Sequence, residues 1–183
     1  MALHKPAFTE EDTLVRAFLT QMQTASSQWN PRSVLREFDY ISGRTDVLSL
    51  SVGGEVVAFE AKLTDWRKAI HQAWRNTSFA NRVYVVLPRD RGVAALRHRQ
   101  EFERKGVGLC LVDCGGHEVV IEGAAFEPVI PWLHNKAKRT LIAHGSGSNR
   151  DPGKNNLPES QLHFSPVLWR RRLQEDVPCT GRR

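Results

Sequence analysis

Two short, continuous apolar runs near the middle of the chain constrain the fold most strongly. Residues 82–87 are RVYVVL and are followed by Pro88, and residues 107–112 are VGLCLV. Runs of this length without polar alternation are typical of strands that are buried on both faces, and such strands need helices packed on the sheet. The sequence therefore predicts an α/β protein with a mixed central β-sheet flanked by helices.

Hydrophobic periodicity and turn signals supply the other elements. The predicted elements are, in order, helix 9–25, strands 34–41, 45–52 and 55–63, a helix capped by Asp65, strand 82–87, basic helix 93–105, strand 107–112, edge strand 117–121 and helix 129–143. A Gly53-Gly54 pair marks a hairpin between the second and third strands. The first eight elements thus follow the order α-β-β-β-α-β-α-β.

The chain length of 183 residues suits one domain and a tail. Residues 1–144 are predicted to form the domain. Composition changes at residue 145, where GSGSNRDPGKNN begins, and residues 145–183 are predicted to be a flexible, basic C-terminal tail. The sequence has no apolar run that resembles a membrane span or a signal peptide, so the predicted location is cytoplasmic, with no membrane partner.

Positive charge is concentrated in one part of the chain. The net charge is +6 with a pI of about 9.6, and residues 62–105 hold 11 basic against 4 acidic side chains. A basic surface attracts polyanions, so nucleic acid is the first partner to consider. Solvated faces of arginine-rich helices would produce the same count, and this alternative stays open.

The same part of the chain supplies candidate substrate contacts. The cations that could hold phosphates are Arg75, Arg89, Arg91, Arg97 and Arg99. Trp66 and Trp74 fall on the apolar side of the helix after Asp65, so they are predicted to pack in the core rather than stack on bases.

An acid and an acid–lysine pair lie on the predicted second and third strands. Asp46 begins one strand, and Glu60 and Lys62 end the next, after thirteen intervening residues. Glu60 and Lys62 are two residues apart, so they project from the same face of a strand. A Glu-x-Lys triplet is common by chance, and Glu103-Arg104-Lys105 is a second copy. That copy is in a helix-like segment, where no pair of strands would bring carboxylates together.

Converging carboxylates at strand ends suit Mg²⁺, which could hold a phosphate and lower the pKa of a bound water. Lys62 could orient or help to deprotonate that water and neutralise charge on the phosphate. Charges in an otherwise apolar strand cost several kcal/mol unless they are paired or bind metal. A simple ion pair of Lys62 with Glu60 or Asp46 is the structural alternative.

This segment resembles the PD-(D/E)XK, or restriction-endonuclease-like, superfamily, whose core has the order αβββαβ. The motif here is Thr45-Asp46, thirteen residues, then Glu60-Ala61-Lys62. The resemblance covers residues 9–88. It implies that Asp46 and Glu60 bind Mg²⁺ (or Mn²⁺) with the Ala61 carbonyl, and that Lys62 is catalytic.

The helix after Asp65 extends the resemblance. Many members carry a glutamine there, and Gln72 occupies that position, with the implied role of positioning substrate or water. Asn76 stands where RecB-like members have tyrosine. Many members also add an upstream acid to the metal site. Glu37 is preferred here, with Glu10 and Glu11 as alternatives.

Hairpin geometry gives a structural test of this interpretation. A strict two-residue Gly53-Gly54 turn would pair Val47 with Glu60 and direct Asp46 to the wrong face. A site at Asp46 and Glu60 therefore requires an odd-length loop or a bulge that shifts the register by one residue.

The expected function is that of a metal-dependent nuclease that hydrolyses phosphodiester bonds. DNA is the preferred expectation for the substrate, and RNA is the second. Alternatives are a catalytically inactive nucleic-acid-binding module of the same fold, and an interaction protein whose basic tail docks on an acidic partner. Substrate structure, endo- or exonuclease mode, and assembly with a second copy or a larger protein partner stay open.

Overall fold

The computed structural model describes residues 7–24, 27–41 and 43–147. The helices and strands of these residues are α1 (Glu11–Met22), β1 (Ser33–Tyr40), β2 (Gly43–Leu50), β3 (Val56–Ala61), α2 (Trp66–Asn76), β4 (Arg82–Pro88), α3 (Arg89–Leu96), α4 (Arg99–Lys105), β5 (Gly108–Asp113), β6 (Gly116–Ile121) and α5 (Pro131–Gly147). None of the described helices is both long and apolar enough to cross a membrane.

The six strands form one sheet in chain order, β1-β2-β3-β4-β5-β6. β1, β2 and β3 form an antiparallel meander, β4 and β5 continue parallel to β3, and β6 is antiparallel to β5. Parallel neighbours need a crossover, and α2 and the α3–α4 pair provide the two crossovers. The predicted mixed sheet with flanking helices is confirmed.

The sheet separates two apolar cores. On one face α1 buries Phe18 against Phe59 of β3, and we call this the α1 core. On the other face α2, α4 and α5 bury their apolar sides, which form the α2 core. β3 contributes Val57 and Phe59 to the α1 core, and Val56 and Ala58 to the α2 core. This alternation along β3 is what the sequence predicts.

The two tryptophans of α2 have different environments. Trp66 is buried at 7% exposure, as predicted, whereas Trp74 is 49% exposed, so the prediction that it packs in the core is wrong. α2 directs Ala69, Ile70 and Ala73 into the core. Trp74 lies at the edge of that stripe, where helical periodicity alone does not decide whether a large side chain is covered.

The basic segment at residues 93–105 differs from its prediction as one helix. It belongs to α3 and α4, which are separated at Arg97 and His98. The His98 ring stacks on Trp66 with centroids 4.8 Å apart, a tertiary contact that the local sequence does not reveal. α4 ends at Lys105, and the next residue, Gly106, has a φ of 64°, a left-handed conformation that favours glycine.

The last helix extends further than predicted. α5 continues through residues 145–147, where the sequence predicts the start of the tail. The remainder of the predicted tail, residues 148–183, lies outside the described residues.

Candidate active site

The hairpin between β2 and β3 has an odd-length loop. Ser51 N donates to Glu55 O at 2.9 Å, and Gly54 N donates to Ser51 O at 3.0 Å. Residues 52–54 therefore form a three-residue loop. Its last residue, Gly54, has a φ of +84°, which a residue without Cβ adopts readily.

This loop sets the register of the two strands. Val47 pairs with Phe59, where a two-residue turn would pair Val47 with Glu60. Continuing the ladder by one pair places Asp46 opposite Glu60, and opposite residues on antiparallel strands project from the same face. The predicted one-residue shift is confirmed, and the two acids share a face of the sheet.

Glu60 is a buried carboxyl group with one satisfied oxygen. Its side chain is 1% exposed, and its Oε1 accepts a hydrogen bond from Asn76 Nδ2 at 2.7 Å. Within the described residues, its Oε2 has no hydrogen-bond partner. Burial, and then the negative charge of Asp46, raise the pKa of Glu60 to about 8, against the opposing effects of Asn76, Lys62 and Arg75. A cation beside Oε2 would stabilise the ionised form.

Asp46 and Lys62 meet at the end of β3. Asp46 Oδ2 accepts from the Ala61 backbone N at 2.8 Å and lies 3.9 Å from Lys62 Nζ. Lys62 Nζ also donates to Glu11 Oε2 and to the Ala61 carbonyl, each at 2.9 Å. Burial alone would lower the pKa of Lys62, but Glu11, Asp46 and Glu60 more than offset it, and the pKa is raised. Lys62 is therefore a protonated amine among oxygen atoms.

Glu60 is held by a hydrogen-bonded chain that is buried at Asn76 and partly buried at Tyr40. Tyr40 Oη donates to Asn76 Oδ1 at 2.8 Å, and Asn76 in turn donates to Glu60. Burial raises the pKa of Tyr40, and the charge of Glu60 acts in the same direction, so the hydroxyl stays a donor. The sequence analysis missed Tyr40, and it treated Asn76 only as a departure from a pattern. The available signal was that Asn76 extends the apolar stripe of α2 through Ala73.

Loss of this chain should destabilise the protein. Asn76→Ala leaves the buried Glu60 Oε1 and the partly buried Tyr40 Oη without this partner, so we expect the free energy of unfolding to fall by about 1–3 kcal/mol. Tyr40→Phe, which keeps the bond from Asn76 to Glu60, should cost less. Chemical denaturation measures whether Asn76→Ala loses more stability than Tyr40→Phe. Asn135→Ala, on the exposed side of α5, is the matched control. Equal stability of Asn76→Ala and the control would contradict this role.

The other site residues predicted from the sequence, Gln72, Glu37 and Glu10, have different surroundings. Gln72 is on α2, one turn before Asn76, and its Oε1 is buried with no hydrogen-bond partner in the described part of the chain. Glu37 is on β1 with a φ of 55°, and its carboxylate is 59% exposed and lies 3.7 Å from Arg44. The structure thus brings Glu11, rather than Glu37, into contact with Lys62. Glu10 is the N-cap residue of α1.

The end of β3 offers oxygen donors for a divalent cation. Across residues 7–24, 27–41 and 43–147, no three His, Cys, Asp or Glu side chains are grouped to hold a metal. The oxygens near the end of β3 are the Asp46 carboxylate, the unpartnered Glu60 Oε2 and the Ala61 carbonyl, which accepts a hydrogen bond from Lys62 Nζ. These are hard oxygen donors of the kind that Mg²⁺ binds together with water. By donor chemistry alone, they suit such an ion.

Comparisons with known proteins bear on the fold alone. No family model matches this chain, and no curated protein matches it. The solved structure of SPO1766, a protein of unknown function from Silicibacter pomeroyi, is similar with a TM-score of 0.55 at 17% identity. The match covers 82% of this chain and 97% of that chain.

Proposed function

We propose that this protein is a metal-dependent nuclease of the PD-(D/E)XK type. The observation that carries the proposal is the register that pairs Val47 with Phe59 and so directs Asp46 and Glu60 to one face, with Lys62 Nζ 3.9 Å from the Asp46 carboxylate. The order α1-β1-β2-β3-α2-β4 supports it, because αβββαβ is the core order of that superfamily. The proposed reaction is hydrolysis of a phosphodiester bond in nucleic acid, with DNA as the preferred substrate.

Asp46, Glu60 and the Ala61 carbonyl would hold Mg²⁺ or Mn²⁺. When bound, such an ion polarises a phosphate and lowers the pKa of a bound water. Asn76 fixes Glu60 Oε1 and leaves Oε2 for the ion. Among the upstream acids, Glu11 is the better candidate for a supporting role, because it contacts Lys62.

The protonated state of Lys62 defines what it would contribute. A positive amine at the end of β3 can hold a phosphate oxygen and stabilise the negative charge that develops on phosphorus oxygens in the transition state. Gln72 would position substrate or water from α2, as the family resemblance implies.

The burial of Glu60 argues against a module that only binds nucleic acid. A carboxyl group that is 1% exposed and beside a second carboxylate destabilises the folded protein when it ionises. A surface that simply binds phosphates has no need of this pair, since cations alone supply that affinity.

Cleavage in the presence of metal tests the function. We expect the full chain to cut DNA in Mg²⁺ or Mn²⁺ and to lose this activity in EDTA. Linear, circular and single-stranded substrates of matched sequence distinguish an endonuclease from an exonuclease, with RNA as a fourth substrate. Asp46→Asn, which keeps the side-chain shape, should be inactive. A gel shift without cleavage, under all metal conditions, would instead favour the binding module.

A further inference from the structure

Most cations named as candidate phosphate contacts are already paired with acids. Arg89 bonds to Asp113 and Glu118 at 2.6 and 2.7 Å. Arg99 lies 3.2 Å from Glu103, and Arg91 lies 3.4 Å from its neighbour Asp90. A nucleic acid would have to compete with these carboxylates.

The cations of α2 are different. Arg67, Lys68 and Arg75 are exposed, and none has a carboxylate partner among the described residues. Arg75 is also close enough to the candidate site that its charge lowers the pKa of both Tyr40 and Glu60. The Arg67 guanidinium lies over the Trp66 ring, 4.2 Å from its centroid. α2 therefore carries positive charge without carboxylate partners up to the site.

An exposed aromatic ring lies among these cations. Trp74 is 49% exposed, and Lys105 Nζ of α4 lies 4.7 Å from its ring centroid. At 3.6 residues per turn, Arg67, Trp74, Arg75 and Lys68 fall within an arc of about 120° on α2. A large aromatic surface beside cations that have no carboxylate partners is a combination that binds single strands, because phosphates contact the cations while bases stack on the ring.

We propose that Arg67, Lys68, Trp74 and Arg75 of α2, with Lys105 of α4, form a strand-binding surface for single-stranded nucleic acid. A base would stack on the face of Trp74 opposite Lys105, and the adjoining phosphates would pass Arg75 toward Glu60 and Lys62. This inference rests on the proposed function and specifies its substrate class. A duplex would gain less from the surface, because its bases are already stacked on one another.

Binding measured without cleavage tests the surface. Fluorescence polarisation of labelled single-stranded and duplex oligonucleotides, equal in length, is recorded in EDTA over a range of salt concentrations. We expect Trp74→Ala to weaken single-strand binding at least about fivefold, with a smaller effect on the duplex. Arg75→Ala should reduce the slope of log affinity against log salt by about 0.7 for the single strand.

Two matched controls keep the result specific. Trp132→Ala removes another half-exposed tryptophan, on α5. Arg32→Ala removes an exposed cation just before β1, at the end of that strand away from Tyr40. Thermal unfolding confirms that every variant is folded, and the basic tail is common to all of them. Binding losses in the controls equal to those in Trp74→Ala and Arg75→Ala would overturn the proposal, as would equal or larger losses for duplex than for single strand.

These experiments can distinguish a failure of the strand-binding proposal from a failure of the nuclease proposal. Because binding is measured in EDTA, the expected single-strand preference can be observed even if no DNA is cut in Mg²⁺, and only the nuclease proposal then fails. Conversely, metal-dependent cleavage with Trp74→Ala at wild-type single-strand affinity would retain the nuclease and reject the strand-binding surface.

Discussion

Lys62→Ala is expected to lower the rate of DNA cleavage by at least about a hundredfold, the size of effect typical when one stabilising group is removed from a transition state. The amine lies 3.9 Å from the Asp46 carboxylate, and its raised pKa keeps it charged. Single-turnover cleavage at saturating Mg²⁺ measures the effect. Lys136→Ala, an exposed lysine of α5, controls for the loss of a positive charge.

A second comparison separates catalysis from structure. Lys62 forms an ion pair with Glu11, whose side chain is 48% exposed, and such partly solvated pairs contribute little to stability. Glu11→Gln removes this pair but keeps the amine, so it should lower the cleavage rate at saturating Mg²⁺ far less than Lys62→Ala does. If Lys62→Ala cut DNA at the wild-type rate, the amine would be a partner of Glu11 and no more.

Some parts of this site could be predicted from the sequence because they depend on local periodicity. Alternation along β3 identifies Glu60 as a charge on a buried face. Because successive side chains of a strand point to opposite faces, a two-residue turn would place Asp46 and Glu60 on different faces of the sheet. Combining these two requirements predicts an odd-length loop or a bulge, and the structure has a three-residue loop that ends at Gly54.

Other parts depend on how distant segments pack. Glu11 and Lys62 are 51 residues apart in the sequence, and Tyr40 and Asn76 are 36 residues apart. No local sequence pattern predicts contacts over such separations. The exposure of Trp74 depends on how α2 lies against the sheet. Sequence spacing also could not indicate that Arg89 would bond to Asp113 while Arg75 remained unpaired.

The stability of the metal-free protein should fall as pH rises from about 5 to about 8 because of Glu60. Its pKa in the folded state is raised from 4.5 to about 8. Between these values the folded state holds a proton that the unfolded state has released, so raising the pH favours unfolding. The stabilisation that comes from the Glu60 proton is fully present below about pH 4.5 and is lost as the pH rises past about 8. A shift of this size corresponds to a few kcal/mol, on the order of 1.4 kcal/mol for each pKa unit.

The measurement is the difference in unfolding free energy between wild type and Glu60→Gln across this pH range in EDTA. A difference is needed because other groups titrate there too. His117, for example, has a pKa lowered by burial and contributes with the opposite sign. Glu127→Gln, at an exposed position, is the matched control and should follow wild type at every pH.

Two further observations connect this titration to the proposed site. Asp46→Asn should flatten the pH dependence in part, because Asp46 is the second cause of the raised pKa after burial. At pH 8, Mg²⁺ should raise the melting temperature of wild type and leave that of Glu60→Gln unchanged, since an ion that binds only the folded state stabilises it. Parallel pH profiles for wild type and Glu60→Gln would mean that the buried carboxyl group ionises without cost. The physical basis for placing a cation between Asp46 and Glu60 would then be lost.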